Sequence, residues 1–374
     1  MSGSEIGVGN VLVFGSFFYP YLLSSYAFLT SSSVGRFYFE PDHVYRSAFQ
    51  RDRDRIIHCA SFRRMSEKMQ VFTADFGSYH RTRLTHTLEV VCIARTVGRV
   101  LGLNEDLIEA ASLLHDIGHP PFGHCGESVL NSLLLVVGGF DHNMQALRIV
   151  EKLERRYVDF PGLNLSRELL DGQSYKVLKS FTPLLEIQVV DVADSVAYDT
   201  HDVDDAMELG LLGADQLMQT ALWKCSSKRV RERWSNLNSV EFRRAVVHDL
   251  IDVQVSDILE ATKRRIIETG IKTAEEATSL PVLVAPGEEI AEMKREMEAF
   301  LLEQVYRHPK VMLLRNRVTG WINEIFEYYV NKTEELPERY TNVLNQEGER
   351  RAVADFIADM TDRSARSINC GIKN

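Results

Sequence analysis

The chain has 374 residues, of which 45% are hydrophobic and 26% are charged, with 22 Gly and 10 Pro. This composition is that of a folded, soluble protein, and it excludes disordered, collagen-like and low-complexity chains. The formal net charge is −10, which argues against a generally basic surface that wraps duplex nucleic acid. An anionic ligand therefore needs a local basic pocket.

Residues 1–30 form an apolar N-terminal segment, and residues 11–30 are almost uncharged and long enough to span a bilayer. However, an acidic residue, Glu5, precedes this stretch, no Lys or Arg occurs before Arg36, and Pro20 interrupts it. The five cysteines are widely spaced and include no CxxC pair, as in proteins of a reducing compartment. We therefore expect a cytoplasmic protein with no membrane role.

The stretch from Arg46 to Arg83 contains nine Lys and Arg but only four Asp and Glu. The interpretation that this pattern favours by itself is a solvated helix face with charge pairs four residues apart. An anion site is the alternative.

From Leu84 onward, apolar residues recur three and four positions apart, which predicts a succession of helices. Asn104 is a predicted helix start, and Pro or Gly residues separate the later helical runs. Strand alternation does not persist, apart from a short hairpin that we predict around residues 71–79. The later helical runs are Asn143 to Tyr157, Leu184 to His201, Val240 to Ile271, Glu288 to Arg307, Lys310 to Asn331 and Arg350 to Thr361.

The sequence contains no internal repeat, no heptad array and no Pro/Ser-rich linker. We therefore expect one large all-α domain over residues 31–374 rather than two independent domains. Its bundle core is predicted at about residues 80–210, and a helical C-terminal part at about residues 235–374.

The strongest chemical pattern follows an apolar helix that ends in His115 and Asp116. A buried imidazole beside a buried carboxylate satisfies part of its charge, and the pair suits a divalent cation. Three further proton carriers follow within twelve residues: His119, His124 and Glu127. A single His on an apolar face is usually a core residue, but this clustering favours a functional site.

Further candidate ligands lie on neighbouring predicted helices. His86 precedes an apolar run, and Asp194 interrupts another. Asp194, Tyr198 and Asp202 are spaced four residues apart, so one helix face presents two carboxylates and a phenol. A polar stripe with a capping network is the structural alternative, although the apolar neighbours of Asp194 disfavour a solvated position.

The order of His86, His115-Asp116 and Asp194 resembles the H…HD…D pattern of the HD superfamily of metal-dependent phosphohydrolases, whose fold is a helical bundle. The motifs HxxxxHxxE (residues 119–127) and DxxxYxxxD (residues 194–202) extend the match. The chain is similar, from about Ser25 through at least Lys263 and again at Tyr306-Arg-His308, to the bacterial dGTPase-like branch of deoxynucleoside triphosphate triphosphohydrolases. Its other matching segments are residues 41–58, 62–64, 68–72, 81–89 and 115–127.

The resemblance implies metal-dependent hydrolysis of dGTP or several dNTPs to a deoxynucleoside and inorganic triphosphate, in control of the dNTP pool. By position, it implies these roles: metal ligands His86, His115, Asp116 and Asp194; a catalytic pair His124 and Glu127 beside the attacking water; His119 and His142 over the α-phosphate; Arg83, Tyr198 and Asp202 on phosphate and sugar; and Gln70 near the 3′-hydroxyl.

The mixed nitrogen and oxygen ligands suit a divalent cation, with Mn²⁺ or Mg²⁺ favoured and Fe or Zn²⁺ left open. The resemblance also implies a homo-oligomer, and a dNTP or single-stranded DNA effector is a further option. Two other functions stay open: another HD phosphohydrolase, such as a nucleotide monophosphatase or phosphodiesterase, and a non-catalytic nucleotide or single-stranded DNA sensor. The two extended motifs argue against the former, and the complete ligand set argues against the latter.

Overall fold

In the computed structural model, the described residues are 23–71 and 81–373. They form seventeen α-helices, and within these two ranges only isolated β-bridges occur, which confirms the predicted all-α class. The helices are Ala48–His58 (α1), Ala60–Arg64 (α2), Arg83–Leu101 (α3), Glu105–Leu114 (α4), Gly123–Leu134 (α5), His142–Arg148 (α6), Arg167–Leu178 (α7), Leu185–Glu208 (α8), Ala214–Leu217 (α9), Ala221–Arg233 (α10), Ser239–Thr269 (α11), Ala274–Thr278 (α12), Glu288–Leu301 (α13), Pro309–Asn331 (α14), Thr341–Glu347 (α15), Glu349–Ala358 (α16) and Asp362–Ile372 (α17).

Local sequence accounts for the boundaries of the two helices that bring in the first site residues. Helix α3 begins at a capping box between Thr82 and Thr85, and it ends at Gly102 in the left-handed conformation (φ 69°). Helix α4 begins where predicted, because the Asn104 side chain accepts a hydrogen bond from the Leu107 N–H.

Three predicted helical runs end differently from the prediction. Helix α8 continues to Glu208, past the predicted end at His201, because Val203 and Ala206 on its additional turns are fully buried. The run from Asn143 and the run from Glu288 each change to a π-helix, at Ile149–Leu153 and Leu302–Tyr306 respectively. We did not predict helices α5, α7, α10 and α17, whose apolar stripes are short or interrupted by charges.

Two predicted features fall partly or wholly outside the described residues. Most of the predicted hairpin lies in residues 72–80, and most of the N-terminal segment lies in residues 1–22. Neither range is described. The residues on either side of the former range pair in antiparallel fashion, with Gln70 N donating to Arg81 O (3.1 Å) and Arg83 N to Lys68 O (2.9 Å). Among the described residues, none of the helices combines the length and the hydrophobicity that a membrane span requires.

The interpretation of the arginine stretch as a solvated face is wrong for its buried basic residues, Arg55, Lys68 and Arg83. Arg55 on α1 is buried and donates to Glu40 Oε1 (2.6 Å). Arg64 pairs with Asp359 (2.6 Å), far away in the sequence. These guanidinium groups connect distant segments because the helix packs its charged face against the rest of the chain.

The helices surround three apolar clusters. The first is formed mainly by α1, α3, α4 and α8, and the third by the end of α8 with α10, α11 and α13. The second is formed by α5 together with the C-terminal helices α14, α16 and α17. Helix α5 thus packs on the C-terminal part of the chain, although it follows α4 directly in the sequence. Cys59, Cys92, Cys125 and Cys225 are free thiols.

Candidate active site

A cluster of three potential ligand groups lies where α3, the end of α4 and α8 meet. His86 Nε2 lies 2.9 Å from Asp194 Oδ1, and His115 Nε2 lies 3.5 Å from the same oxygen. The ligand atoms of all three residues lie within 4.8 Å of one another. Both imidazoles are buried, whereas 35% of the Asp194 side chain is exposed, so the cluster has one open side.

The hydrogen bonding of His115 suits a metal ligand. Its Nδ1 lies 2.6 Å from the carbonyl oxygen of Ser112. Because a carbonyl only accepts, Nδ1 carries the proton, and Nε2 of the neutral ring then presents a lone pair. Nε2 is buried with no hydrogen-bond partner. A cation shared with His86 and Asp194 would satisfy this atom, so the residues fit a divalent metal.

Asp116 connects this cluster to a second one. Its Oδ1 lies 3.7 Å from His115 Nε2 and 3.2 Å from His119 Nε2, while its Oδ2 accepts from Arg83 Nη1 (2.7 Å). Burial disfavours the charged carboxylate, but His115, Arg83 and His119 outweigh burial and hold the pKa of Asp116 well below its usual range.

The second cluster contains His119, His124, Glu127 and His142, again with ligand atoms within 4.8 Å of one another. The Glu127 carboxylate accepts from His124 Nδ1 (3.0 Å) and from His142 Nδ1 (2.7 Å). The rings of His119 and His142 are stacked, with centroids 3.8 Å apart. The four catalytic candidates thus form one contiguous group.

The charges in this group are set by its surroundings. Burial opposes ionisation of Glu127, but the hydrogen bonds from His124 and His142 lower its pKa far below the usual range. Burial, together with Arg83 and His142, holds the pKa of His119 well below its usual value. Near neutral pH, Glu127 is therefore a carboxylate and His119 an uncharged imidazole.

Arg83 has unused hydrogen-bonding capacity. The residue is 1% exposed, and its Nε and Nη2 have no partner, although Nη1 is bonded to Asp116. Gly123 makes room for this guanidinium, since a Cβ there would lie 2.8 Å from Arg83 Nη2. Buried donors without an acceptor are unfavourable, and an anionic ligand would supply the acceptors.

A cavity of about 200 Å³ adjoins the second cluster. Gln70, His124 and Tyr198 line it together with Tyr306, which the π-helix after α13 contributes. The Gln70 Oε1 is buried without a partner. The structure therefore brings two of the predicted sugar-contacting residues to the same cavity as His124.

Asp202 reaches this cavity through Tyr306. Asp202 is 1% exposed, and its carboxylate accepts a hydrogen bond from the Tyr306 hydroxyl. The Tyr306 ring stacks on that of Tyr198, with centroids 6.2 Å apart. Burial raises the pKa of Asp202 well above its usual range. The sequence analysis noted Tyr306 only as part of a matching segment and gave it no role.

His201 is a second residue near the site that sequence reasoning missed. Its ring lies edge-on to that of His86, with centroids 5.8 Å apart. Burial, Arg81 and His86 lower the pKa of His201 to about 2. Nothing in the local sequence singles it out, because its approach to His86 depends on how α8 crosses α3.

The comparisons with known proteins agree with this geometry. Residues 83–199 match the HD domain and residues 284–369 the phosphohydrolase-associated domain. The chain is 39% identical to deoxyguanosinetriphosphate triphosphohydrolase-like proteins of Geobacter metallireducens and Geobacter sulfurreducens, with 92% of this chain and 93% of each relative covered. A protein of the same name from Thiobacillus denitrificans is also 39% identical, with 91% and 94% covered.

The match to these relatives, over 92% of the chain, is thus longer than the two matched domains together. Apart from Gln70 and Asp202, the candidate site residues lie within the HD-domain match. The chain belongs to the deoxyguanosinetriphosphate triphosphohydrolase-like family of HD-domain phosphohydrolases.

Proposed function

We propose that the protein hydrolyses deoxynucleoside triphosphates at the α-phosphorus and releases a deoxynucleoside and inorganic triphosphate. The observation that carries this proposal is the contact of two clusters through Asp116. A site for a cation and the unsatisfied donors of Arg83 lie beside a hydrogen-bonded His124–Glu127 pair. Such a site can bind a polyphosphate and move a proton at the same place. The biological role that follows is control of the dNTP pool.

The first proposed roles are those of the metal ligands and of Arg83, which would bind the phosphate groups. His86, His115, Asp116 and Asp194 would hold a divalent cation, Mn²⁺ or Mg²⁺, which would neutralise charge that develops on the phosphate in the transition state. The free Nε and Nη2 donors of Arg83 would bind phosphate oxygens in a bidentate manner.

The proton-transfer role belongs to His124. Because the Glu127 carboxylate accepts from Nδ1, the neutral ring has its lone pair on Nε2, where it can take a proton from the attacking water. Glu127 also accepts from the backbone N–H of His142 (2.8 Å). This second bond fixes the carboxylate and thereby the orientation of the His124 ring.

Recognition of the sugar would rest on the cavity beside His124. The Tyr198 ring, backed by Tyr306, would pack against C2′ and leave no room for a ribose hydroxyl. Gln70 Oε1 is an acceptor without a partner and suits the 3′-hydroxyl.

Product identification tests the proposal directly. Purified protein is incubated with each of the four dNTPs and Mn²⁺, and the products are separated by anion-exchange chromatography. We expect a deoxynucleoside and inorganic triphosphate, with no product from a His115→Ala variant. Release of orthophosphate or pyrophosphate, or hydrolysis of monophosphates alone, would identify a different HD phosphohydrolase. Tight dNTP binding without turnover would identify a sensor.

The sugar preference gives a second test. We expect Tyr198→Ala to admit ribonucleoside triphosphates, because removing the ring opens space at C2′. The matched control is Tyr306→Phe, which retains the stacked ring but loses the bond to Asp202, so it should weaken dNTP use without changing the deoxy-to-ribo ratio of kcat/KM. An unchanged ratio in Tyr198→Ala would show that this ring does not select the sugar.

A further inference from the structure

The backbone between two site histidines adopts an unfavourable conformation. His119 and His124 are connected by Pro120, Pro121, Phe122 and Gly123, and Phe122 has φ 63°, in the left-handed region. Phe122 is the residue before α5, so its conformation sets the direction in which that helix leaves the loop. Residues other than glycine occupy this region only when surrounding contacts hold them there.

The contact that holds Phe122 comes from the last helix of the chain. Asp362 Oδ1 accepts from the Phe122 N–H (2.8 Å), and Asp362 Oδ2 accepts from the Met69 N–H (3.0 Å). Met69 directly precedes Gln70. One carboxylate on α17 therefore ties the loop that leads to His124 to the segment that carries Gln70.

The side chain of Phe122 is held by the same C-terminal helices. The ring is 1% exposed, and its centroid lies 5.6 Å from that of Trp321 on α14. The guanidinium carbon of Arg366, one turn after Asp362, lies 5.9 Å from the Phe122 ring centroid.

A second charged residue connects the other end of the loop to the C-terminal helices. The Lys68 ammonium donates to the carbonyl oxygen of His119 (2.6 Å) and to that of Ala358 on α16 (2.7 Å), and the side chain is 3% exposed. The loop is thus attached to the C-terminal part at His119 by Lys68 and at Phe122 by Asp362.

We propose that Asp362 is a positioning residue for catalysis, which holds the 119–122 loop so that His124 meets its substrate. Lys68 assists from the other end of the loop. The inference rests on the proposed function for its kinetic test, although its structural test does not. A carboxylate is needed because its two oxygens accept from two separate N–H groups, whereas an amide would turn an NH₂ group toward one of them.

The test compares Asp362→Asn with a matched control, Asp359→Asn. Asp359 is also a buried acid of the C-terminal part, but it bonds Arg64 and Tyr340 rather than the loop. We expect Asp362→Asn to lower kcat by roughly 10- to 100-fold with little change in KM or metal content, the range for a small displacement of a catalytic group. Asp359→Asn should keep kcat. Equal losses in both variants, or no loss in Asp362→Asn, would overturn the proposal.

A double-mutant cycle separates positioning from general destabilisation. If Asp362 acts through His124, Asp362→Asn should have no further effect on kcat in a His124→Ala background. A full additional loss there would contradict the proposal. Should Asp362→Asn fold poorly, Asp362→Glu keeps the charge and both acceptors but displaces them by one methylene, and we expect the same pattern with a smaller loss.

NMR of histidine side chains provides a readout that does not need activity. The His124 Cε1–H resonance, assigned with His124→Ala, should shift in Asp362→Asn and stay in place in Asp359→Asn. An unmoved resonance would overturn the positioning role even if the protein hydrolyses no dNTP. If the wild type releases no triphosphate but the resonance shifts, the proposed function fails and the positioning role stands.

Discussion

At the scale of single residues, the site depends on which nitrogen of each histidine is free. Ser112 fixes the tautomer of His115, and Glu127 fixes that of His124. In the proposed roles, Nε2 of His115 would bind a cation and Nε2 of His124 would accept a proton. Two histidines nine residues apart are thus prepared for different chemistry by their hydrogen-bond partners.

The metal role predicts a coupled loss. We expect His115→Ala to abolish metal content and turnover together, since the ligands on three different segments hold one ion and the remaining ligands make a poor site. Elemental analysis of the purified variant measures the metal. Asp116→Ala should behave alike, and full metal occupancy in either variant would refute the ligand assignment.

The acid–base role predicts the opposite pattern. His124→Ala and Glu127→Ala should each lower kcat by roughly 10²- to 10⁴-fold, the usual range for loss of a general acid or base. The bound metal should stay, as elemental analysis would show. If His124→Ala lost its metal but kept a normal kcat per bound ion, His124 would be a ligand instead.

At the scale of elements, α5 matters because it carries His124 and Glu127 but packs in the second apolar cluster. Ile322 on α14 is fully buried there, and its Cδ1 would lie 3.2 Å from a Cβ at Gly126 on α5. The position of α5, which carries two of the proposed catalytic residues, therefore depends on a helix from the C-terminal part.

This packing predicts a loss of stability on truncation. We expect Ile322→Ala to lower the free energy of unfolding by about 2–5 kcal/mol, because it leaves a cavity beside α5. Leu313→Ala on the same helix is the control, since Leu313 is 57% exposed and a surface substitution costs about 0.5 kcal/mol or less. Urea unfolding followed by circular dichroism measures both, and equal effects would show that the contact with α5 contributes little.

At the scale of the whole molecule, the buried Lys68 couples stability to pH. Burial lowers the pKa of Lys68 to about 7, against 10.5 for an ordinary lysine. Between these two values the unfolded chain binds more protons at this site than the folded chain does. The free energy of unfolding contributed by Lys68 therefore rises with pH above about 7.

We expect this rise to be absent from Lys68→Met, which fills similar space without an ionisable group. Urea unfolding at several pH values from about 7 to 9 measures this rise in the free energy of unfolding. The range stops at about pH 9 because tyrosines begin to titrate at higher pH. Lys263→Met, a change at an exposed lysine, should retain the wild-type dependence. Parallel curves for the wild type and Lys68→Met would disprove the coupling.

The surface between residues 34 and 45 is also a whole-molecule feature. Phe37, Phe39, Val44 and Tyr45 are between 72% and 96% exposed. Such an apolar segment is compatible with the homo-oligomer that the family resemblance implies. Oligomerisation stays a prediction, which size-exclusion chromatography with light scattering would test.

The sequence by itself determined the all-α class, the family and the identity of the chemical groups. These properties are local, because ligand motifs such as His115-Asp116, helix periodicity and the cap at Asn104 each lie within a few neighbouring residues. The helices that the sequence did not predict, such as α5 and α17, have short apolar stripes. Which of their faces is buried depends on contacts with residues far away in the sequence.

The tertiary structure alone decided how those groups are combined. Asp362 and Phe122 are 240 residues apart, Tyr306 and Asp202 are 104 apart, and Arg64 and Asp359 are 295 apart. No periodic pattern encodes such contacts, because each depends on which faces of α5, α8, α14 and α17 are buried together. The candidate ligand motifs can therefore be recognised in the local sequence. The packing of the C-terminal helices on α5 sets where His124 lies relative to those candidate ligands.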